Sequence, residues 1–180
     1  MQGLDFSIVP EYWPLIGKGL WWTVVISAAS ALFSIIAGMG FALVVLYASP
    51  VVRAPVRLFM WLFMGTPLLL QLFLIYFGLV QIGIDIPAVW SGIVGLSLHF
   101  AVYNADIFRA GIASLDKGQT EAARSLGFGA WQTRFYIVVP QALRNTVPAV
   151  GNMMIALLKE SSIVSMIGIA ELVHSAQLVI

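Results

Sequence analysis

Lys159 and Glu160 are adjacent ionisable residues inside a hydrophobic stretch, and two hydroxyls, Ser161 and Ser162, follow directly. An ionisable side chain at membrane depth is costly and marks a candidate site by default. Neighbouring helical positions lie about 100° apart, so Lys159 and Glu160 cannot face the same way. One can turn toward a cavity while the other pairs elsewhere. A second break is Gly65-Thr66-Pro67. Pro67 has no amide proton and biases Thr66 away from helix. The segment reads either as a proline kink or as irregular backbone lining a cavity, with Thr66 and Gln71 as the polar groups to hand. Asn104, Asp106 and Arg109 form a third group, in which Asp106 and Arg109 can pair at i,i+3 as a structural or gating ion pair, the alternative being direct substrate contact. His99 is isolated and reads as a helix-to-helix hydrogen bond. No Ser/His/Asp arrangement, carboxylate pair or metal-ligand cluster suggests an enzyme, and no cofactor or metal is implied.

The residues Asp116 to Arg134, DKGQTEAARSLGFGAWQTR, form a polar island in an apolar chain. Asp116 with Gln119 makes a loose capping box, Lys117 to Leu126 suits a short helix, and Gly127 is placed to close it. Ala130 to Val139 suits a second short helix, which Pro140 should limit. The expected hairpin, 116–139, carries a small apolar face of Ala122, Ala123 and Leu126, with Gln119, Glu121 and Arg124 free for polar contacts. Two readings are open from spacing alone: a solvated loop, or a docking element for a groove on another protein.

The elements that must position these residues follow from composition. The chain has 180 residues, 61% of them apolar and 9% charged, whereas a soluble domain carries roughly 25% charged residues. It is an integral membrane protein. Spans are expected near 20–47, 58–80, 87–109 and 145–168, each at least as long as the roughly 20 residues that cross ~30 Å of hydrocarbon. The alternative for the last is a start near Phe135, which leaves Lys159 and Glu160 as snorkelled charges at the outer interface. Ser30, Ser34, Gly38 and Ala42 recur at every fourth position, and Gly92 with Gly95 repeats small residues, as close helix packing in lipid requires. Arg53, Arg57, Arg109, Lys117, Arg124, Arg134 and Arg144 fall on one side of this arrangement, and only Lys18 and Asp85 on the other. The positive-inside rule then puts the amino terminus outside and the island in the cytoplasm. Asp5 and Glu11 before Lys18 do not fit a signal peptide. With no cysteine, a disulfide framework is excluded. There is no G-x-x-x-x-G-K-[ST] loop, so the chain does not itself carry that ATP-binding chemistry.

Glu121-Ala122-Ala123 with Gly127, Gly65-Thr66-Pro67 with Gln71 and Tyr76-Phe77-Gly78, Pro140-Gln141-Ala142 and Lys159-Glu160-Ser161-Ser162 occur in order. Together they resemble the permease subunits of bacterial ATP-binding-cassette importers, in particular the polar amino-acid subfamily of the histidine, glutamine and arginine type, over roughly residues 12–178. The resemblance implies an all-α polytopic transmembrane helix bundle of the type I importer kind with a cytoplasmic coupling helix. Glu121, Ala122, Ala123 and Gly127 would contact a cytoplasmic ATPase dimer. Glu160, Ser161 and Ser162 would line an amino-acid site, with Thr66 and Gln71 as further candidates. It also implies a second permease subunit, identical or paralogous, an extracytoplasmic substrate-binding protein, a lipid environment in the bacterial inner membrane and no nucleic acid. Met64 stands where such permeases usually carry arginine. A further span is expected after the segment matching Glu171 to Gln177, unless this member lacks it, in which case Ile169 to Ile180 would form an interfacial helix with His174 and Gln177 on its polar side. An ion-coupled secondary transporter and a non-transporting membrane scaffold are the rival readings.

Overall fold

The computed structural model describes residues 9–179. Asp5 and the side chain of Glu11, on which the reading of the amino terminus partly rests, lie outside what it describes. Three helical runs are long and apolar enough to cross a membrane: Tyr12–Tyr47, Ala88–Ala113 and Ala130–Ile167. No strand occurs among the described residues. Helix α1 (Val9–Tyr47) and helix α4 (Ala88–Ala113) form the most intimate pair, and α4 also packs against the segments before and after it.

Small residues make that pairing possible. Ser30, Ser34 and Ala42 are fully buried, and a Cβ on Gly38 would stand 2.7 Å from Asn104 Cβ and 2.9 Å from Ala101 O. Side-chain hydrogen bonds then tie the two helices: Ser30 Oγ donates to Ile93 O at 3.4 Å and Asn104 Nδ2 to Ser34 Oγ at 3.2 Å. Asn104 therefore faces α1, away from the half-exposed ion pair of Asp106 and Arg109 at 3.3 Å. The three residues expected to cluster belong to two faces of α4.

The expected span at 58–80 is two helices. Helix α2 (Pro50–Met64) and helix α3 (Leu68–Phe73), which runs on through wider and tighter turns to Ile82, meet at 113°. The bend falls at Gly65-Thr66-Pro67, where Pro67 cannot donate. Arg53 Nη2 donates to Ala48 O at 2.8 Å, placing a cation on the carboxyl end of α1, where the helix dipole favours it.

The last long run corrects another expectation. Pro140 does not end a short helix: α6 (Ala130–Gln132), a π turn at Thr133–Val138 and α7 (Val139–Glu160) are continuous. The π turn gives the reason. Val139 N bonds Arg134 O, five residues back, and this widened turn relieves the crowding that a proline ring causes in the turn before it. Tighter turns at Ser161–Ile167 complete the run, which Gly168 closes at φ 89°. Its 38 residues amount to roughly 55 Å at helical rise, well beyond ~30 Å of hydrocarbon, so part of it projects from the membrane. Helix α8 (Leu172–Gln177) docks on the start of α1: buried Glu171 caps it by accepting from Val173 N and His174 N, and Leu172 N donates to Thr23 Oγ1 at 3.0 Å. The segment after Ile169 is packed on protein rather than lying free at an interface.

The α1–α4 seam yields a paired test. Gly38→Ala should lower the thermal transition of the purified subunit by the equivalent of about 1–3 kcal/mol through overpacking. Gly151→Ala, where a Cβ meets nothing within 4 Å, should leave it unchanged or slightly raised, because alanine favours helix.

Candidate functional site

The break between α2 and α3 frees two carbonyls, and two side chains take them up. Pro67 would have bonded Phe63 O in a continuous helix. Gln71 Nε2 donates to that oxygen instead, at 2.8 Å, and also reaches Thr66 O at 3.2 Å and Thr66 Oγ1 at 2.8 Å. Thr66 Oγ1 donates to Leu62 O at 2.9 Å. The backbone irregularity thus carries its own replacement bonds, as lipid surroundings demand.

Gln71 has a second job. With its amide nitrogen on carbonyls, Oε1 is an acceptor, and His99 Nδ1 lies 3.0 Å from it across to α4. The network assigns the proton to Nδ1, so a neutral ring keeps its lone pair on Nε2. His99 makes the helix-to-helix bond expected of it, and it also lines a cleft.

That open cleft, about 510 Å³, is walled by Met64-Gly65-Thr66-Pro67, by His99 and Tyr103 of α4, and by Glu160 at the end of α7. Its volume lies within the ~300–1,000 Å³ of small-molecule sites. Glu160 turns to the cleft while Lys159 is exposed and does not line it, as their angular separation requires. A carboxylate, an imidazole lone pair and a phenol oxygen can all accept hydrogen bonds, so the cleft suits a donor-rich cationic group. Gln71 and Ser161 are buried and off the cleft wall. Ser161 donates to Leu158 O and Ser162 to Lys159 O, closing the last turn of α7, and Ser162 faces a separate groove with Met166 and Val173. Sequence reading missed Tyr103 and the cleft position of His99: both are one turn apart on α4, a spacing that signals a shared face only once a partner face is known. Among the described residues, no three His, Asp or Glu side chains gather where a metal ion could sit.

The polar island is a second site. Helix α5 (Lys117–Ser125) begins at Asp116, whose Oδ1 accepts from Gly118 N at 2.7 Å. It ends in a Schellman motif: Phe128 N bonds Ala123 O, Gly127 N bonds Arg124 O, and Gly127 takes φ 83°. Glu121, Ala122 and Gly127 are exposed, and Leu126 and Trp131 stand well out of the surface. Ala123 is buried, because α5 rests on the π turn before α7. Its small side chain serves contact within the chain rather than an outward face.

Residues 30–179 match the family described as "binding-protein-dependent transport system inner membrane component". The chain belongs to this family. It is 37% identical to the probable amino-acid ABC transporter permease protein YckA of Bacillus subtilis, covering 94% of this chain and 75% of that protein. It is 39% identical to the arginine transport system permease protein ArtQ of the same organism, covering 97% and 80%. Among solved structures, an amino acid ABC transporter crystallised with histidines superposes with a TM-score of 0.87 at 39% identity, covering 99% of this chain and 83% of that one. The MetNI methionine ABC transporter, in an inward-facing conformation, shares the fold at a TM-score of 0.75 and 21% identity, covering 93% and 79%. The expected all-α bundle of the type I importer permease kind is therefore the fold of this chain.

Removing the amide that closes the break has a defined consequence. Gln71→Leu leaves Phe63 O without its donor and His99 without its acceptor, each buried orphan costing about 1–3 kcal/mol. Hydrogen exchange should accelerate at the amides of residues 63–66 and 68, and the thermal transition should fall.

Proposed function

We propose that this member of the family is the membrane-spanning permease subunit of an ATP-driven importer of polar amino acids, and that the amino acid passes through the cleft at the Gly65-Thr66-Pro67 break. The observation that carries this reading is the convergence of Glu160, His99 and Thr66, from three separate segments, on one opening. Glu160 holds the substrate's ammonium group or a cationic side chain. His99, its tautomer set by Gln71, adds an acceptor beside it. Gln71 positions this wall without touching substrate. Asp106 and Arg109 act outside the cleft as a structural or gating pair. The relatives named for amino acids support the substrate class.

The hairpin is the coupling element. Glu121 and Ala122 meet the cleft of a cytoplasmic ATPase, Gly127 permits the turn, and Ala123 seats the lever on its own chain. ATP hydrolysis belongs to that partner, since this sequence lacks a phosphate-binding loop. A second permease subunit completes the pathway, and an extracytoplasmic binding protein delivers substrate. The basic residues near Tyr47 and the hairpin support a cytoplasmic position for that end, with the amino terminus outside the inner membrane. ATPase closure moves the hairpin, α7 carries the displacement to Glu160, and the pair of permeases alternates between outward-open and inward-open states whose relative populations the ligands bias.

Two variants in vesicles containing the reconstituted complex separate the two sites. Glu160→Ala should abolish substrate-stimulated uptake, a loss of at least about tenfold, while the ATPase still co-purifies. Gly127→Val, which forces a β-branched residue to positive φ, should release the ATPase. Unchanged uptake kinetics in the first variant would rule out the substrate role of Glu160.

A further inference from the structure

Two adjoining cavities lie at the basic end of the bundle, away from the cleft. The larger, about 370 Å³, is an apolar groove along the last turns of α1, where Gly40, Leu43 and Val44 face Trp131 and Phe135. The smaller, about 140 Å³, lies between α5 and the π turn, partly open to the surface, and is lined by Thr120, Arg124 and Thr133. Tyr47 and Arg134 belong to both.

The polar groups of the smaller cavity are unspent. The Arg134 guanidinium is stationed 4.2 Å over the Tyr47 ring, a cation–π contact that orients it without neutralising it. Neither Arg124 nor Arg134 has an acidic partner, since the one ion pair among the described residues joins Asp106 and Arg109. Thr133 is 3% exposed and its hydroxyl has no hydrogen-bond partner. Such a buried orphan is costly unless something accepts its proton. Two guanidiniums and an unpartnered hydroxyl lining one cavity are donors of the kind a phosphate accepts from, and the apolar groove that opens beside them fits an acyl chain.

We propose that these joined cavities bind one anionic phospholipid, its phosphate between Arg124, Arg134 and Thr133 Oγ1 and one acyl chain along Gly40, Leu43 and Val44. Basic pockets between membrane helices recognise anionic headgroups in this way. The lipid bridges the end of α1 to α5, and so fixes how the hairpin stands relative to the membrane. The site does not depend on which protein docks on the hairpin.

The test is lipid retention. The full chain, purified in mild detergent from membranes containing phosphatidylglycerol and phosphatidylcholine, is assayed by native mass spectrometry, with thermal unfolding followed on adding back each lipid or inorganic phosphate. Wild type should retain phosphatidylglycerol and be stabilised by it more than by phosphatidylcholine or inorganic phosphate. Arg124→Gln with Arg134→Gln should reduce retention by about fivefold per arginine, and Arg144→Gln, which lines neither cavity, should not. Leu43→Trp, which fills the groove and keeps both arginines, should also reduce it. Equal retention in all variants overturns the site. Stabilisation by inorganic phosphate alone overturns the lipid, and so does a Leu43→Cys cross-link to a second copy of this chain, which would mean that a protein helix covers the groove.

Discussion

A backbone break within a bilayer has to be closed by side chains, because no water is there to take up the freed carbonyls. Here Gln71 closes it. Its amide nitrogen replaces the bond that Pro67 cannot make to Phe63 O, and its carbonyl oxygen fastens the repaired segment to His99 on the central helix. One side chain thereby sets the 113° bend between α2 and α3, the position of that bend against α4, and the tautomer of the imidazole facing the cleft. The cleft exists because the bend is held open rather than straightened into a span.

The second dependence is mechanical. The run from Ala130 to Glu160 is helical throughout, so the second arm of the polar hairpin and the Glu160 carboxylate lie on one rod. α5 rests on the π turn at the base of this rod through buried Ala123. A widened turn is the natural place for such a rod to adjust, and it lies next to Pro140 and the contact with α5. Small residues then bring the rod close to α4: a Cβ on Gly111 would collide with Thr146 of α7. In the proposed mechanism, displacement of the hairpin would reach the cleft through this packing, not through a flexible linker.

Much of this was readable in the residues. The helix runs, the bend at Pro67, the Gly127 turn and the small-residue stripe of α1 all express local rules of backbone geometry and close approach. The sequence was misleading where a tertiary contact decides. Pro140 reads as a stop, but a π turn absorbs it. The family resemblance implies Ser161 and Ser162 as lining residues, but the tight turns after Glu160 rotate both away from the cleft. Ala123 reads as part of an outward face, but α5 needs a small residue against its own chain. Asn104 sits two positions from Asp106 and yet belongs to the α1 seam. His99 showed only its helix-to-helix bond, because its place on the cleft wall depends on Glu160 arriving from 61 residues later in the chain.

In the proposed function the amino acid passes through the cleft beside Glu160. Since the chain contains no cysteine, single reporters can be set on either side of the Ser161–Ile167 turn. Met64→Cys lies on the cleft, and Met166→Cys on the separate groove behind it. In the reconstituted complex, a transported amino acid should slow thiol labelling of the first variant and leave the second unaffected. Equal labelling of the first with and without substrate, or protection of the second alone, would contradict the account.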